Sequence, residues 1–328
     1  MTNDDEKSCG RDSGGVAFGF SRSRVRRRQQ NVLGGGTAKP ATSSTVSVPS
    51  RAPVSTPPTT TFKFGEHEAK VYDLKGIDLK QQEITPNFGR LVATKEAMYF
   101  HAKKKGDKDQ ALWQLKYDHE NLTGIGPVGL SADIAVLATN GKNVYCESRE
   151  QTFDWYDGKT FHTGKKNTAI RPIAAVAGKD TIYTYTKMGE TITKGRFDNG
   201  EIKDAKEVIG KQNFNMTPVY ADDKEIFVRS EVKKDGKTVE FLASFDTNGK
   251  ELHHFDGFPS NENPYGWTVT ANYVVHVKAK GVFRIYDRAT GKLIADVETK
   301  LKPYRMATIT GNDVLVYDLD KRFYRVDF

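Results

Sequence analysis

The chain has 328 residues, 37% of them hydrophobic, and a formal net charge of +8. Its length admits one or two ordinary domains or one large all-β domain, and no run of about 18 apolar residues could cross a membrane as a helix. Two cysteines, Cys9 and Cys146, cannot build a disulfide framework, and no basic-then-apolar leader opens the sequence. A protein of the nucleus and/or cytoplasm, not secreted and not membrane-bound, is the expectation.

Charge divides the chain. Residues 1–61 hold nine basic and four acidic residues, whereas the remainder is nearly balanced. From Gly34 to Thr61 the sequence is dominated by Gly, Ser, Thr, Pro, Ala and Val, ending VSTPPTTT. Such a stretch buries too little apolar surface to offset its conformational entropy, so residues 1–61 are expected to form a disordered arm. Inside it, VAFGFSRSRVRRRQQNVL places Phe18 and Phe20 ahead of Arg22, Arg24, Arg26, Arg27 and Arg28. Three functions suit that field: a nuclear localisation signal read by an import receptor, an arginine-rich RNA contact, and a docking peptide anchored by its phenylalanines. A purely solubilising arm is the simplest alternative. Phosphorylation of Ser21 or Ser23 would cancel much of the charge. The acidic opening, Asp4, Asp5 and Glu6, argues against a mitochondrial transit peptide.

The FGFSRSRVRRR run resembles the FGF-Ser/Thr-Arg start of some G-patch splicing factors, and that resemblance implies a nuclear setting. CGRDSGG, Cys9 to Gly15, is similar to the segment around the nucleophilic serine of trypsin-like proteases. Here Ser13 lies ahead of any folded scaffold that could supply a histidine and an oxyanion hole, so it is read as no nucleophile.

The body repeats. Apolar–Asp pairs recur at Tyr72-Asp73, Tyr117-Asp118, Tyr156-Asp157, Phe197-Asp198, Phe245-Asp246, Tyr286-Asp287 and Val326-Asp327, spaced by 39 to 48 residues. The apolar residue ends a strand, Asp accepts from turn amides, and a following Gly supplies positive φ. Upstream of each pair stand two more short strands, as in DIAVLATNGKNVYCES and PVYADDKEIFVRSE. No sustained helical period interrupts them.

About four antiparallel strands per repeat of ~43 residues is the unit of a propeller blade. The pattern resembles the β-propeller superfamily in the loose style of WD-repeat blades, without a Gly-His opening or a Trp-Asp pair. The expected fold is an all-β, six-bladed propeller over residues 62–328. Its blades fall roughly at 87–126, 127–167, 168–208, 209–257, 258–297 and 298–328. A strand around Lys70–Leu74, or the following Ile77–Glu83, closes the last blade so that no edge stays unpaired. Seven blades, or an open sandwich, are the alternatives.

Chemistry is sparse. Gly158-Lys159-Thr160 and Gly236-Lys237-Thr238 lack the earlier glycine of a phosphate-binding loop, so no nucleotide cofactor is expected. The seven histidines show no metal-ligand spacing. Cys146 in VYCES reads as a small buried hydrophobe. Asn121 and Asn215 match the glycosylation pattern but lack a secretory context. The candidate binding residues on a propeller face are the loop cations Lys103, Lys104, Lys105, Lys302 and Arg305, whose alternative is a solvated hairpin, and the aromatics Tyr265 and Trp267, whose alternative is a core position at a blade start. Lys165-Lys166 and Lys233-Lys234 are similar clusters. The expected function is a non-enzymatic, monomeric interaction scaffold that binds a protein partner on one face. An RNA-associated factor is one alternative. A hydrolase with acidic or histidine side chains converging in the central channel is another.

Overall fold

In the computed structural model, the described residues are 57–328 apart from 119, 131–134, 148–151, 166–170, 187–189, 260–261, 263 and 279–280. The arm residues Phe18, Phe20, Arg22, Arg24, Arg26, Arg27 and Arg28 lie outside them.

Two strands open the fold, β1 (Thr60–Phe64) and β2 (His67–Leu74). Blade 1 is β3 (Ile84–Ala93), β4 (Ala97–Lys104), β5 (Ala111–Asp118) and β6 (Asn121–Leu130). Blade 2 is β7 (Ala135–Thr139), β8 (Val144–Glu147), β9 (Phe153–Tyr156) and β10 (Phe161–His162). Blade 3 is β11 (Arg171–Ala175), β12 (Thr181–Thr186), β13 (Thr191–Asp198) and β14 (Glu201–Ile209). Blade 4 is β15 (Thr217–Ala221), β16 (Glu225–Lys234), β17 (Lys237–Asp246) and β18 (Glu251–Pro259). Blade 5 is β19 (Pro264–Val269), β20 (Tyr273–Lys278), β21 (Val282–Asp287) and β22 (Leu293–Glu298). Blade 6 contributes β23 (Pro303–Thr310), β24 (Asp313–Asp318) and β25 (Phe323–Asp327). Every blade is an antiparallel meander, and its strands are lettered a to d from the centre outwards.

The ring is a six-bladed β-propeller, which sets aside the seven-bladed and sandwich alternatives. The closing sheet runs β1-β2-β25-β24-β23, so β2 fills the d position beside β25, from Lys70 opposite Asp327 to Leu74 opposite Phe323. Two details differ from the sequence reading. Tyr72-Asp73 lies inside β2 and marks no c–d turn. A fifth strand, β1, spans the expected boundary at residue 62, because Phe62 and Phe64 bury against Phe283, Tyr273 and Phe328.

Strand alternation explains the core. Successive side chains point to opposite faces, so each b strand feeds two seams. Met98 and Phe100 pack toward blade 6, while Ala97 and Tyr99 pack toward blade 2. Ile226 and Val228 face blade 3, and Phe227 faces blade 5. Six apolar clusters result, one in each seam between neighbouring blades. Full burial of one such side chain stabilises by about 1.5–3 kcal/mol.

The Asp turns behave as their chemistry requires. Asp157 Oδ1 accepts from the amides of Lys159 and Thr160, and Asp246 Oδ1 from those of Asn248 and Lys250. Asp287 accepts from the Thr290 amide and hydroxyl. These donors hold all three carboxyls below the usual carboxylate range. In one such turn Gly249 has φ 88°, and a Cβ there would stand 1.9 Å from the Val208 carbonyl of blade 3. Only glycine fits that approach.

Candidate functional site

Strand direction divides the turns between two faces. The a–b and c–d turns share one face. Adjacent a–b turns are stitched there by Gly178 N–H to Asn140 O and Ala271 N–H to Gly311 O. The b–c turns share the other face with the d–a linkers, joined by Lys105–Glu83, Lys278–Glu262, Lys302–Asp320 and Lys211–Glu190.

Both faces carry both signs, since Lys95, Lys142, Lys179 and Lys224 stand in a–b turns and Asp107, Asp109, Asp235 and Asp320 in b–c turns, but the emphasis differs. The a–b face carries the aspartate turns, including Asp118, Asp157, Asp198, Asp222, Asp223, Asp246 and Asp287. Lys103, Lys104, Lys105 and Lys108 lie on the b–c face in or beside the blade 1 turn, and Lys233, Lys234 and Lys237 in the blade 4 turn. Lys300 and Lys302 join them from the linker into blade 6. Several are already engaged: Lys103 donates to the Lys108 carbonyl at 2.9 Å, Lys105 pairs with Glu83 at 2.6 Å, and Lys302 pairs with Asp320 at 3.1 Å. Lys104, Lys233, Lys234, Lys237 and Lys300 have no carboxylate within ion-pair distance among the described residues.

The innermost strands surround a central cavity of about 1160 Å³. Arg305 and Trp267 line it, away from the lysine turns. Arg305 lies over the Tyr304 ring and donates to the Tyr304 carbonyl. Trp267 is half-buried, its ring stacked on His276 at 4.0 Å. Tyr265 is the second residue of the same strand, and its side chain lies outside the described set. The sequence reading grouped these aromatics with the loop cations. β19 instead directs Trp267 to the wall of the cavity, beside the seam with blade 4.

That seam holds a polar cluster the sequence did not reveal. Phe258 N–H donates to His276 Nδ1 at 3.0 Å, which puts the imidazole proton on Nε2. Nε2 then faces Glu240 Oε2 at 3.8 Å, beyond hydrogen-bond length. Burial drives His276 down to about 3, with the Arg284 and Arg229 charges adding to the shift. Burial raises the Glu240 carboxyl, while Arg229 at 3.8 Å opposes the rise. His276 is therefore neutral at physiological pH.

The cavity's other carboxylates are occupied. Arg288, its side chain 9% exposed, reaches from blade 5 to Asp222 and to Glu225 at 3.1 Å, and donates to the Thr270 carbonyl. Lys179 holds Asp223 at 2.5 Å. Cys146 is fully buried in β8, and burial pushes its thiol far above the ordinary range. Among the described residues no cluster of three His, Cys, Asp or Glu could hold a metal ion.

No protein-family model matches the chain. No curated protein matches it. Among solved structures it is similar to U3-55K, at 11% identity and a TM-score of 0.50 over 79% of this chain and 98% of that one. It also aligns with the WD40 repeats of RRP9, at 11% identity and a TM-score of 0.47 over 82% of this chain and 99% of that one. With the WD40 β-propeller domain of Doa1 the values are 13% and 0.44, over 82% and 96%. At such identities the likeness concerns fold alone, and the six-bladed β-propeller is read from the strands of this chain.

Proposed function

We propose that this chain is an interaction scaffold whose b–c face docks an acidic segment of a partner protein. The observation that carries this reading is the gathering of Lys104, Lys233, Lys234, Lys237 and Lys300 on one face, while the aspartate turns occupy the other. Complementary charge of this kind accelerates encounter and selects partners. Of the carboxylates lining the cavity, Asp222 and Glu225 are engaged by Arg288, Asp223 by Lys179 and Asp287 by Thr290, which leaves Glu240 beside the neutral, buried His276 as the pair a hydrolytic reading would have to use. The arginine run Arg22 to Arg28, with Phe18 and Phe20, is proposed as a nuclear import or second docking element, on its local charge density.

The test is affinity capture with the full chain and with a Lys104→Glu, Lys234→Glu, Lys300→Glu variant, each with and without RNase. The expected result is a defined set of proteins that survives RNase and is lost by the variant. Loss of all captured material with RNase replaces the protein partner by RNA, whose phosphates would use the same cations. Equal capture by the variant overturns the assignment to this face.

A further inference from the structure

Blade 4 breaks a rule the other blades keep. In each of the others the a strand pairs with the b strand to within a residue of the b strand's outer end. Ile84 reaches Lys104, the last residue of β4, and Ala135 reaches Glu147, the last of β8. Arg171 reaches Tyr185, Pro264 reaches Lys278, and Pro303 reaches Asp318. In blade 4 the pairing starts with Thr217 opposite Arg229, yet β16 continues to Lys234. Ser230 to Lys234 have no strand on that side among the described residues. The chain ahead of Thr217 packs elsewhere, with the Phe214 ring on Phe241 at 5.0 Å.

On its other side this segment stays fully laddered. β17 pairs with it from Ser230 opposite Phe241 to Lys234 opposite Lys237. The result is a two-stranded ribbon standing out on the b–c face, with one edge of backbone left without a ladder partner; Ser230 at its base is buried, and Glu231 to Lys234 are exposed. Val232 on it is 46% exposed. Lys233, Lys234 and Lys237 surround its tip and outweigh the two exposed carboxylates there, Glu231 and Asp235. Toward the cavity lie Arg229 and Trp267.

An open edge recruits strands. Lysines on it repel a second copy of the same edge and favour an acidic chain. We propose that Ser230–Lys234 of β16 is a strand-addition site for an extended acidic segment of a partner protein. The segment takes the place along β16 that an a strand occupies in the other blades. Its backbone supplies the ladder, its acidic side chains meet Lys233, Lys234 and Lys237, and an apolar side chain covers Val232. This assignment rests on the lysine-bearing face being the docking face, and it names the part of that face that does the holding.

The experiment uses the full chain and a fluorescent peptide of about six residues, the length of an ordinary strand, alternating glutamate and valine. The peptide is expected to bind, to weaken as salt rises, and to slow amide hydrogen exchange at Ser230–Lys234. Methylating its alternate backbone nitrogens keeps the charge but removes one ladder edge, and should weaken binding about tenfold. A lysine–valine counterpart should not bind. Lys233→Glu with Lys234→Glu, both exposed, should abolish binding with the melting temperature unchanged.

Protection confined to residues outside Ser230–Lys234, or equal binding of the methylated peptide, overturns strand addition and leaves the face-wide reading intact. Failure of the acidic peptide to bind at low salt also overturns strand addition. The face-wide reading is then decided separately, by capture with the Lys104→Glu, Lys234→Glu, Lys300→Glu variant.

Discussion

Blades 1 and 4 share a strand plan and a lysine-rich b–c turn, yet they expose different backbones. In blade 1 the a strand runs the length of β4, so Lys103 and Lys104 extend from a finished ladder. In blade 4 the same kind of turn tips a ribbon that lost its inner neighbour five residues early. Side-chain charge alone therefore does not distinguish the two turns. What distinguishes them is whether the backbone beneath the charge is already hydrogen-bonded. A solvated lysine turn can steer a partner, but an open edge can also hold one in register.

The largest effect tests what the two blades have in common. Phe100 and Phe227 are fully buried in their b strands, each in a different seam. Phe100→Ala and Phe227→Ala should each lower unfolding free energy by about 3–5 kcal/mol, measured by chemical denaturation. A much smaller loss at Phe227 would mean that the early end of β15 loosens the whole blade and not only its tip.

Hydrogen exchange sharpens the contrast next. Amides of β16 beyond Arg229 that point away from β17 should exchange through local openings costing near zero. Paired amides of β4 should require openings of several kcal/mol, toward the global value. Equal protection would show that the ribbon edge is covered.

Acid comes third. His101 in blade 1 and His276 beside blade 4 are both buried and held neutral, at about 4 and about 3. Their folded values lie below the ordinary 6.5, so the stability they confer is complete above pH 6.5 and declines as pH falls through that window. His276→Gln and His101→Gln should each flatten the acid limb of stability against pH. The linked loss at pH 4 is on the order of 3 kcal/mol for His276. Below about pH 4 only the His276 replacement should keep flattening it. Around His276 stand Glu240, Arg229 and Arg284, and their charges set how sharply that limb bends.

The smallest effect is the reversal of a single exposed lysine. Lys104→Glu and Lys234→Glu should each change stability by less than about 0.5 kcal/mol. The two should differ only in what they do to a bound acidic peptide, where Lys234→Glu matters more.

Much of the fold was legible because the blade repeats its own punctuation. Tyr156-Asp157, Phe245-Asp246 and Tyr286-Asp287 mark real c–d turns, and their carboxylates cap the amides that turn chemistry requires. Tyr72-Asp73 carried the same letters without the same place, since a dipeptide does not say whether a turn follows. β1 was hidden because its threonines continue the composition of the preceding segment, although the alternation of Phe62 and Phe64 was a usable signal. Of the site, the lysine clusters were visible, but their sharing one face was not, because that depends on which hairpin each turn closes. Trp267 read from the sequence as either a binding aromatic or a core aromatic at a blade start; its ring stacks on His276 and lines the cavity wall. The open edge of β16 is a mismatch between two strand lengths, so it emerges only when β15 and β16 are laid side by side.

Closure by β2 has a consequence for synthesis. The strand that seals the ring leaves the ribosome before any of the six blades, whereas its partner β25 follows every other strand described. Until then β2 has no sheet to join, the apolar side chains meant for the seam between blades 5 and 6 face water, and two sheet edges stay open. Bringing the two ends together adds a loop-closure cost that neighbouring strands never meet. Five complete blades therefore wait on one late strand, and a nascent chain halted before β25 would be work for a chaperone.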